Sequence, residues 1–364
     1  MGRFKEIIIE AAAPYERGVQ YGEQAREEIT LCIERYKEHF AAMGRMSWEE
    51  ARSRVTPIRQ LLLKDYQDCL AEVEGIAKGS DTDFVDLMVL NARYEFLHFP
   101  TDGECTAFAL LREATEDGLV YVGQNWDNRP FVLEHTLIVR ETEENGTRII
   151  GTTEAGQLIR NGMNSHGLGM CANSLNSIFD RAGVGVPANF LRRKLLSLKS
   201  LDQMIAWLVN APRTVSNNYC LASAENRAFD VEAVPTAPWL LLPEDNILTH
   251  ANHLVGDRTV DAYQGMKFRG ELLYKLLAKK NGRITTDYVK ECLKNHENFP
   301  DSLCAHMLEG ETEMRKMWQT NASIIYNLDK LEMDICYGPP CQGEYVTFHG
   351  RHGPETPLSN FPCV

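Results

Sequence analysis

The chain has 364 residues, long enough for a substantial core, and with 44% hydrophobic and 24% charged residues it has the composition of an ordinary globular protein. A formal net charge of −13 argues against nucleic acid or an anionic membrane as partner, since both need a basic face, and leaves a small molecule as the better fit. No run approaches the ~18 apolar residues of a membrane span, Met1-Gly-Arg-Phe lacks a signal-peptide core, and the cysteines form no compact framework, so a cytoplasmic protein with reduced thiols is expected.

Glu6 to Glu10 carry an isoleucine run that suits a buried strand. From Pro14 onward, Val19, Tyr21, Ala25, Ile29, Cys32, Ile33 and Tyr36 recur at roughly helical spacing. Ser47-Trp-Glu-Glu50 reads as a capping box, and Pro57 restarts or kinks the helix behind it. Leu61, Leu62, Tyr66, Cys69, Leu70 and Val73 extend an apolar stripe towards Gly75 or Gly79; a further helix is expected after Asp81-Thr82, through Phe84, Leu87, Met88 and Tyr94. The first hundred residues are therefore read as mainly helical.

At Thr101-Asp-Gly the helical period gives way to strand-sized runs. Cys105-Thr-Ala-Phe-Ala-Leu-Leu and the run ending Gly123-Gln-Asn-Trp-Asp127, separated by a turn at Glu116-Asp117-Gly118, predict a β-hairpin. It begins at a thiol, ends at a carboxylate and brings Cys105 near Asp127, which makes a candidate nucleophile site. A free cysteine is more often a small buried hydrophobe, and local sequence leaves the two readings at even odds.

Thr136 to Arg140 and Arg148 to Thr153 form the next hairpin, around Asn145-Gly146. The segment from Asn161 to Ser174 is dense in glycine and asparagine and suits tight turns, with Asn173 a candidate site residue and His166 a loop residue. Pro187 begins a helix through Phe190 and Leu196, and Ser200-Leu-Asp-Gln203 boxes the start of another. Strands return over 218–224 and 227–232 about a Glu225-Asn226 turn, followed by Ile247-Leu-Thr-His-Ala-Asn-His253. Helices are expected over 265–281 and 285–293, and a last hairpin turns at Asp329-Lys330. His250 and His253, three apart at a strand end, would not share a face, so structural roles are preferred for both. Cys336, Cys341, His349 and His352 are the only cluster with metal character, but their spacing is unlike a zinc motif, and no metal site is assigned.

Asp102-Gly-Glu-Cys-Thr-Ala-Phe-Ala followed by Gly123-Gln-Asn-Trp-Asp127 resembles the motif pair of the isopenicillin N acyltransferase family, autoprocessing cysteine acyltransferases and amidohydrolases among the N-terminal-nucleophile hydrolases. A third segment, His250-Ala-Asn-His253, resembles that family's His-Thr-Asn-His. The resemblance implies an α+β fold, a four-layer α-β-β-α sandwich, and a precursor that cuts itself between Glu104 and Cys105. Residues 1–104 would then be a helical α-chain or propeptide, and 105–364 the catalytic core. It also implies Cys105 as nucleophile, Asp127 as the group holding the freed α-amine and Asn252 as oxyanion donor, with Gln124, Trp126 and Asn173 beside the substrate.

A chain break supplies the base: a newly freed α-amine, whose pKa in an unstructured peptide is about 7.7–8.0, accepts the thiol proton near neutral pH. Substrates would be small N-acyl amides or acyl thioesters. No cofactor is implied, and acyl-coenzyme A would enter only as co-substrate. The cut chains are expected to stay associated, and a homo-oligomer is compatible with the reading. Glu104, a bulkier and charged residue that would slow or redirect self-cleavage, stands where the family often has glycine; the alternative is an unprocessed, non-catalytic or small-molecule-binding protein of the same fold. Trp126, Phe131 and Phe190 are candidates for an apolar acyl pocket, and Arg315 is the one arginine near the C-terminal hairpin where some members have a site arginine.

Overall fold

The computed structural model describes residues 2–97, 105–312 and 317–350. In chain order its strands are β1 (Lys5–Ile8), β2 (Thr106–Leu110), β3 (Tyr121–Asn128), β4 (Thr136–Thr142), β5 (Arg148–Glu154), β6 (Asn161–Asn164), β7 (Leu168–Ser174), β8 (Asn217–Ser223), β9 (Arg227–Ala233), β10 (Trp239–Leu241), β11 (Ile247–His250), β12 (Gln319–Asn327), β13 (Glu332–Tyr337) and β14 (Tyr345–His349). The helices are α1 (Pro14–Gln24), α2 (Arg26–Met43), α3 (Trp48–Ser53), α4 (Val55–Leu62), α5 (Gln67–Ser80), α6 (Phe84–Asn91), α7 (Arg93–Leu97), α8 (Ala188–Leu196), α9 (Leu201–Asn210), α10 (Arg269–Ala278) and α11 (Thr286–Leu293).

Two sheets result, one ordered β1-β4-β5-β6-β7-β8-β9-β10 and the other β11-β2-β3-β12-β13-β14. Successive side chains on a strand point to opposite faces, so each sheet presents two surfaces, and both are covered. Ala107, Ala109, Val122, Trp126 and Ile324 of the smaller sheet meet Ile138, Ile150, Met163, Cys171 and Cys220 of the larger in one inter-sheet core. On the outer face of the larger sheet, Leu137, Val139, Met170, Leu221 and Val231 pack beneath α1 to α9. The alternate residues of the smaller sheet, Phe108, Leu110, Tyr121 and Ile325, face α10 and α11 through Leu273, Leu277, Val289 and Leu293. This is the expected α-β-β-α sandwich. Residues 5–97 belong to it in full: β1 joins the larger sheet in parallel beside β4, and α1 to α7 form much of one outer layer.

Local signals behave as their chemistry dictates, with some shifts. Ser47 and Glu50 form the reciprocal capping box, but the helix behind it breaks at Arg54, so Pro57 falls in the first turn of α4, where its missing N–H costs nothing. Gly75 and Gly79 do not end α5. They lie inside it, against Gly18 and Gly22 of α1, where a Cβ on Gly75 would stand 2.0 Å from the Tyr15 carbonyl oxygen. The β2–β3 hairpin is present, with Thr106 opposite Asn125 and Leu110 opposite Tyr121. Its connection is a ten-residue loop that contains the expected turn at Glu116-Asp117-Gly118, with Gly118 at φ 66°, and ahead of it the 3-10 turn Arg112–Ala114. Arg112 explains the length: its guanidinium reaches the Gly118 and Ala224 carbonyls and Asp329, giving the loop its own polar anchor.

Candidate active site

Register alone places the nucleophile. Cys105 immediately precedes β2, and because Thr106 pairs with Asn125, the thiol arrives beside the end of β3, with Sγ 3.7 Å from the Asp127 carbonyl oxygen. It is 3% exposed, at one end of a cleft. Burial, then the Asp127 charge, push this thiol up to about 11, against the smaller pull of Arg160 and Arg269. In the intact chain the group is therefore a thiol at neutral pH. A base must be delivered to it.

The Asp127 side chain is fully enclosed. Its Oδ2 accepts from Arg269 Nη1 at 3.0 Å, and its Oδ1 accepts from the Thr320 hydroxyl at 2.6 Å. Thr320 is aimed there by a bulge in β12, where the pairing with β3 shifts register at Asn321. Arg269, the first residue of α10, spans two groups: its Nη2 donates to Asn252 Oδ1 at 3.0 Å. A guanidinium has no acceptor, so it selects the carbonyl oxygen of Asn252 and turns the amide nitrogen the other way. Nδ2 donates to Ser174, to the carbonyl at 3.0 Å and the hydroxyl at 3.2 Å, and Ser174 lines the cleft that holds Cys105. One buried arginine thus orients both the carboxylate and the amide. Sequence reading missed Arg269 because it lies at the start of an ordinary amphipathic helix; the one signal was that helix's position soon after His250-Ala-Asn-His253.

The cleft is lined by Trp126, Phe131, Leu97 and Trp318, and by Arg93, Arg129 and Arg160. Tyr36, His39 and Tyr94 from the N-terminal helices complete that wall. The Arg160 guanidinium lies 4.5 Å from the Trp126 ring centroid, a cation–π contact that also holds the indole in place. Glu154, buried beneath, is ion-paired to Arg160 at 2.9 Å and also to Arg93, and accepts from the Tyr36 hydroxyl at 2.5 Å. Burial would raise the Tyr94 phenol, but Arg160, Arg93 and Arg192 outweigh it and hold the group below its ordinary value. A net-negative protein has built a cationic cleft here.

The expected site residues divide. Cys105, Asp127 and Trp126 line the cleft, as does Phe131. Phe190 does not; it is wholly buried in the helix–sheet core. Gln124 lies one pair further along β3, opposite Ala107 and Ile324, so its amide is enclosed between the sheets and does not reach the cleft. Asn173 is also withdrawn: its Nδ2 donates to the carbonyls of His250 and Ala251 at 3.2 and 3.1 Å, bracing the turn that carries Asn252. Neither residue lines the cleft. His250 and His253 do face one another, their rings stacked 6.4 Å apart, because the chain leaves the strand at His250. Burial alone would lower the His250 pKa, but Asp230 and Glu232 raise it to about 9, so it is a fixed cation bonded to Glu232 at 2.8 Å and not a base for Cys105. Cys336 and exposed His349 point to separate partners, Tyr337 and Glu332. Glu104, Arg315 and His352 lie outside the described residues.

Fold and site together describe a four-layer sandwich in which a thiol and a buried carboxylate line one cleft and an oriented amide is bonded to Ser174 on its wall. The family model described as acyl-coenzyme A:6-aminopenicillanic acid acyl-transferase matches residues 114–342, more than half of the chain, and the chain belongs to that family. The match starts just after β2 and so does not itself cover Cys105. The acyl-coenzyme A:6-aminopenicillanic-acid-acyltransferase 40 kDa form of Emericella nidulans is 22% identical over 308 residues, 82% of this chain and 84% of that protein. Among solved structures, a variant of conjugated bile acid hydrolase from Clostridium perfringens has a TM-score of 0.45 and 16% identity, covering 64% of this chain and 89% of that one. Penicillin V acylase from Agrobacterium tumefaciens has a TM-score of 0.45 and 10% identity, with 64% and 83% covered. Among the described residues no helix is long and apolar enough to cross a membrane.

Proposed function

We propose that this chain is an amide hydrolase or acyltransferase that cuts itself between Glu104 and Cys105 and works through a Cys105 acyl-enzyme. The observation that carries the reading is Arg269, which ties the Asp127 carboxylate to the Asn252 amide beside the Cys105 cleft.

Self-cleavage begins when the thiol adds to the Glu104 carbonyl. The scissile C–N bond breaks as the α-amine of Cys105 takes up a proton, leaving a thioester that water hydrolyses to the Glu104 carboxylate and the free thiol. The new amine then accepts the thiol proton, replacing a thiol held up to about 11 with a thiolate–ammonium pair, and Asp127 holds the ammonium. Attack on a substrate carbonyl puts charge on its oxygen, where a backbone N–H donates together with the Asn252 Nδ2 hydrogen released from the Ser174 hydroxyl; removing one such donor costs about 10²–10³ in rate. The ammonium returns its proton to the leaving amine or thiol, and water or an acceptor amine takes the acyl group. Arg93, Arg129 and Arg160 suit a substrate or acceptor bearing a carboxylate.

Intact mass and N-terminal sequencing of wild type beside Cys105→Ala test the reading. The expected result is two wild-type fragments, one starting at Cys105, with the variant whole. A whole chain in both proteins would remove the amine base and leave the unprocessed binding protein as the account.

A further inference from the structure

Outside the cleft, four side chains converge that no part of the acyl-transfer chemistry uses. His296, Cys304 and His306 come from the segment that follows α11, and Cys341 from the turn that follows β13. Their Nε2 and Sγ atoms all lie within 4.8 Å of one another. His306 Nε2 is 3.1 Å from His296 Nε2, 3.4 Å from Cys304 Sγ and 3.3 Å from Cys341 Sγ. One imidazole nitrogen carries at most one proton and cannot satisfy three neighbours at such distances.

A divalent cation among them can. With Zn–S near 2.3 Å and Zn–N near 2.0–2.1 Å, the edges of a tetrahedral Cys₂His₂ site measure about 3.3–3.8 Å, close to the separations around His306. We propose that His296, Cys304, His306 and Cys341 form a structural zinc site. Four protein ligands leave no open position, and two thiolates balance the ion's charge. Binding releases the two thiol protons. The spacing, seven residues between His296 and Cys304, one between Cys304 and His306 and a distant Cys341, hides the site from any paired-cysteine motif.

The backbone is built to hold this geometry. Cys304 N–H donates to the Asn295 carbonyl at 3.0 Å and His306 N–H to the Pro300 carbonyl at 3.1 Å, closing the loop on itself. Asn125 Nδ2, from β3, donates to the carbonyls of Leu293 and Leu303 and pins both ends. The Cys341 turn is fastened to β12 by Gly338 N–H donating to Asn321 at 2.9 Å. Between two of the ligands, Ala305 exchanges hydrogen bonds with Thr320, whose hydroxyl donates to Asp127. The ion would therefore staple two loops at the back of the site and steady Thr320. The other close set, Cys32, His135 and Glu154, offers no comparable case, because Glu154 is already ion-paired to Arg93 and Arg160.

The test is metal content, which does not depend on any acyl-transfer activity. Wild type, Cys341→Ser and His306→Gln are purified without a polyhistidine tag after zinc-supplemented expression, dialysed and analysed by elemental mass spectrometry. About one zinc per wild-type chain is expected, with loss in both variants. Cobalt exchanged into wild type should give the thiolate charge-transfer and tetrahedral visible bands, and these should weaken in Cys341→Ser. Because Cys341 is exposed, that variant is expected to fold, and circular dichroism checks it. Wild type without zinc above background, equal zinc in wild type and folded Cys341→Ser, or a Cys304–Cys341 disulfide in peptide maps would each overturn the proposal.

Discussion

At the scale of single residues, the question is how a buried thiol becomes a nucleophile. The Cys105 thiol is bonded to the Asp127 carbonyl, and among the described residues no histidine is hydrogen-bonded to it. His250 is a cation locked onto Glu232, and His253, which burial and His250 lower to about 4, lines a different pocket. With its pKa at about 11, the uncut thiol has roughly a ten-thousandth of its population ionised at pH 7. Alkylation of Cys105 in uncut chain should then climb about tenfold per pH unit towards pH 11. In processed chain it should level off far lower, where the α-amine sets the titration. One tryptic map reads both, since the peptide crossing Glu104–Cys105 and the peptide starting at Cys105 differ in mass. Equal profiles for the two peptides, or a plateau near pH 8 in the uncut one, would contradict this account of the thiol. Of these features the sequence shows the thiol, the acid and Asn252 but not Arg269, because a lone arginine in a helix carries no motif.

Secondary elements meet at distances that particular residues permit. The pairing of α1 with α5 is set by Gly18, Gly22, Gly75 and Gly79, which bring the two backbones into contact. Two effects compete in Gly75→Ala. Alanine favours a helix interior over glycine by about 0.5–1 kcal/mol. Against that, the new methyl would meet the Tyr15 carbonyl at 2.0 Å and Gly18 Cα at 2.9 Å, and backbone cannot swing aside as a flexible side chain can. Overpacking of this kind costs about 1–3 kcal/mol and wins. The variant's urea midpoint should fall accordingly; an unchanged or raised midpoint would mean that the crossing is looser than described. From the sequence Gly75 or Gly79 reads as the end of a helix, since glycine serves equally as terminator and as the means of close approach, and only the partner helix separates the two.

Across the whole molecule, the N-terminal segment packs into the larger sheet and its outer layer. Besides β1 in the larger sheet, buried ion pairs cross the predicted cut, Glu72 with Arg193 at 3.2 Å and Arg93 with Glu154, as does the hydrogen bond from Tyr36 to Glu154. Tyr36, Arg93, Tyr94 and Leu97 also line the cleft. Processed protein should consequently run on a sizing column at the mass of the uncut chain, the fragments parting only in denaturant. Release of the fragment preceding Cys105 in native buffer, with a folded remainder, would show that it is a detachable propeptide.

Local chemistry in the sequence was sufficient for much of this. Short apolar runs, the Ser47 capping box and the Asn145-Gly146 turn each draw on neighbours within a few residues, and each is realised in β2 and β3, α3, and β4 and β5. Family membership was readable because its motifs are contiguous. What only the tertiary structure decided are relations between residues far apart in the chain: Arg269 between Asp127 and Asn252, Gln124 and Asn173 turned away from the cleft, the arginine wall, and Cys341 brought to His296, Cys304 and His306. The physical reason is that these contacts depend on how strands, helices and loops remote in sequence pack together; for Gln124 on β3 and Asn173 on β7, a register shift of one residue would send the side chain to the other face.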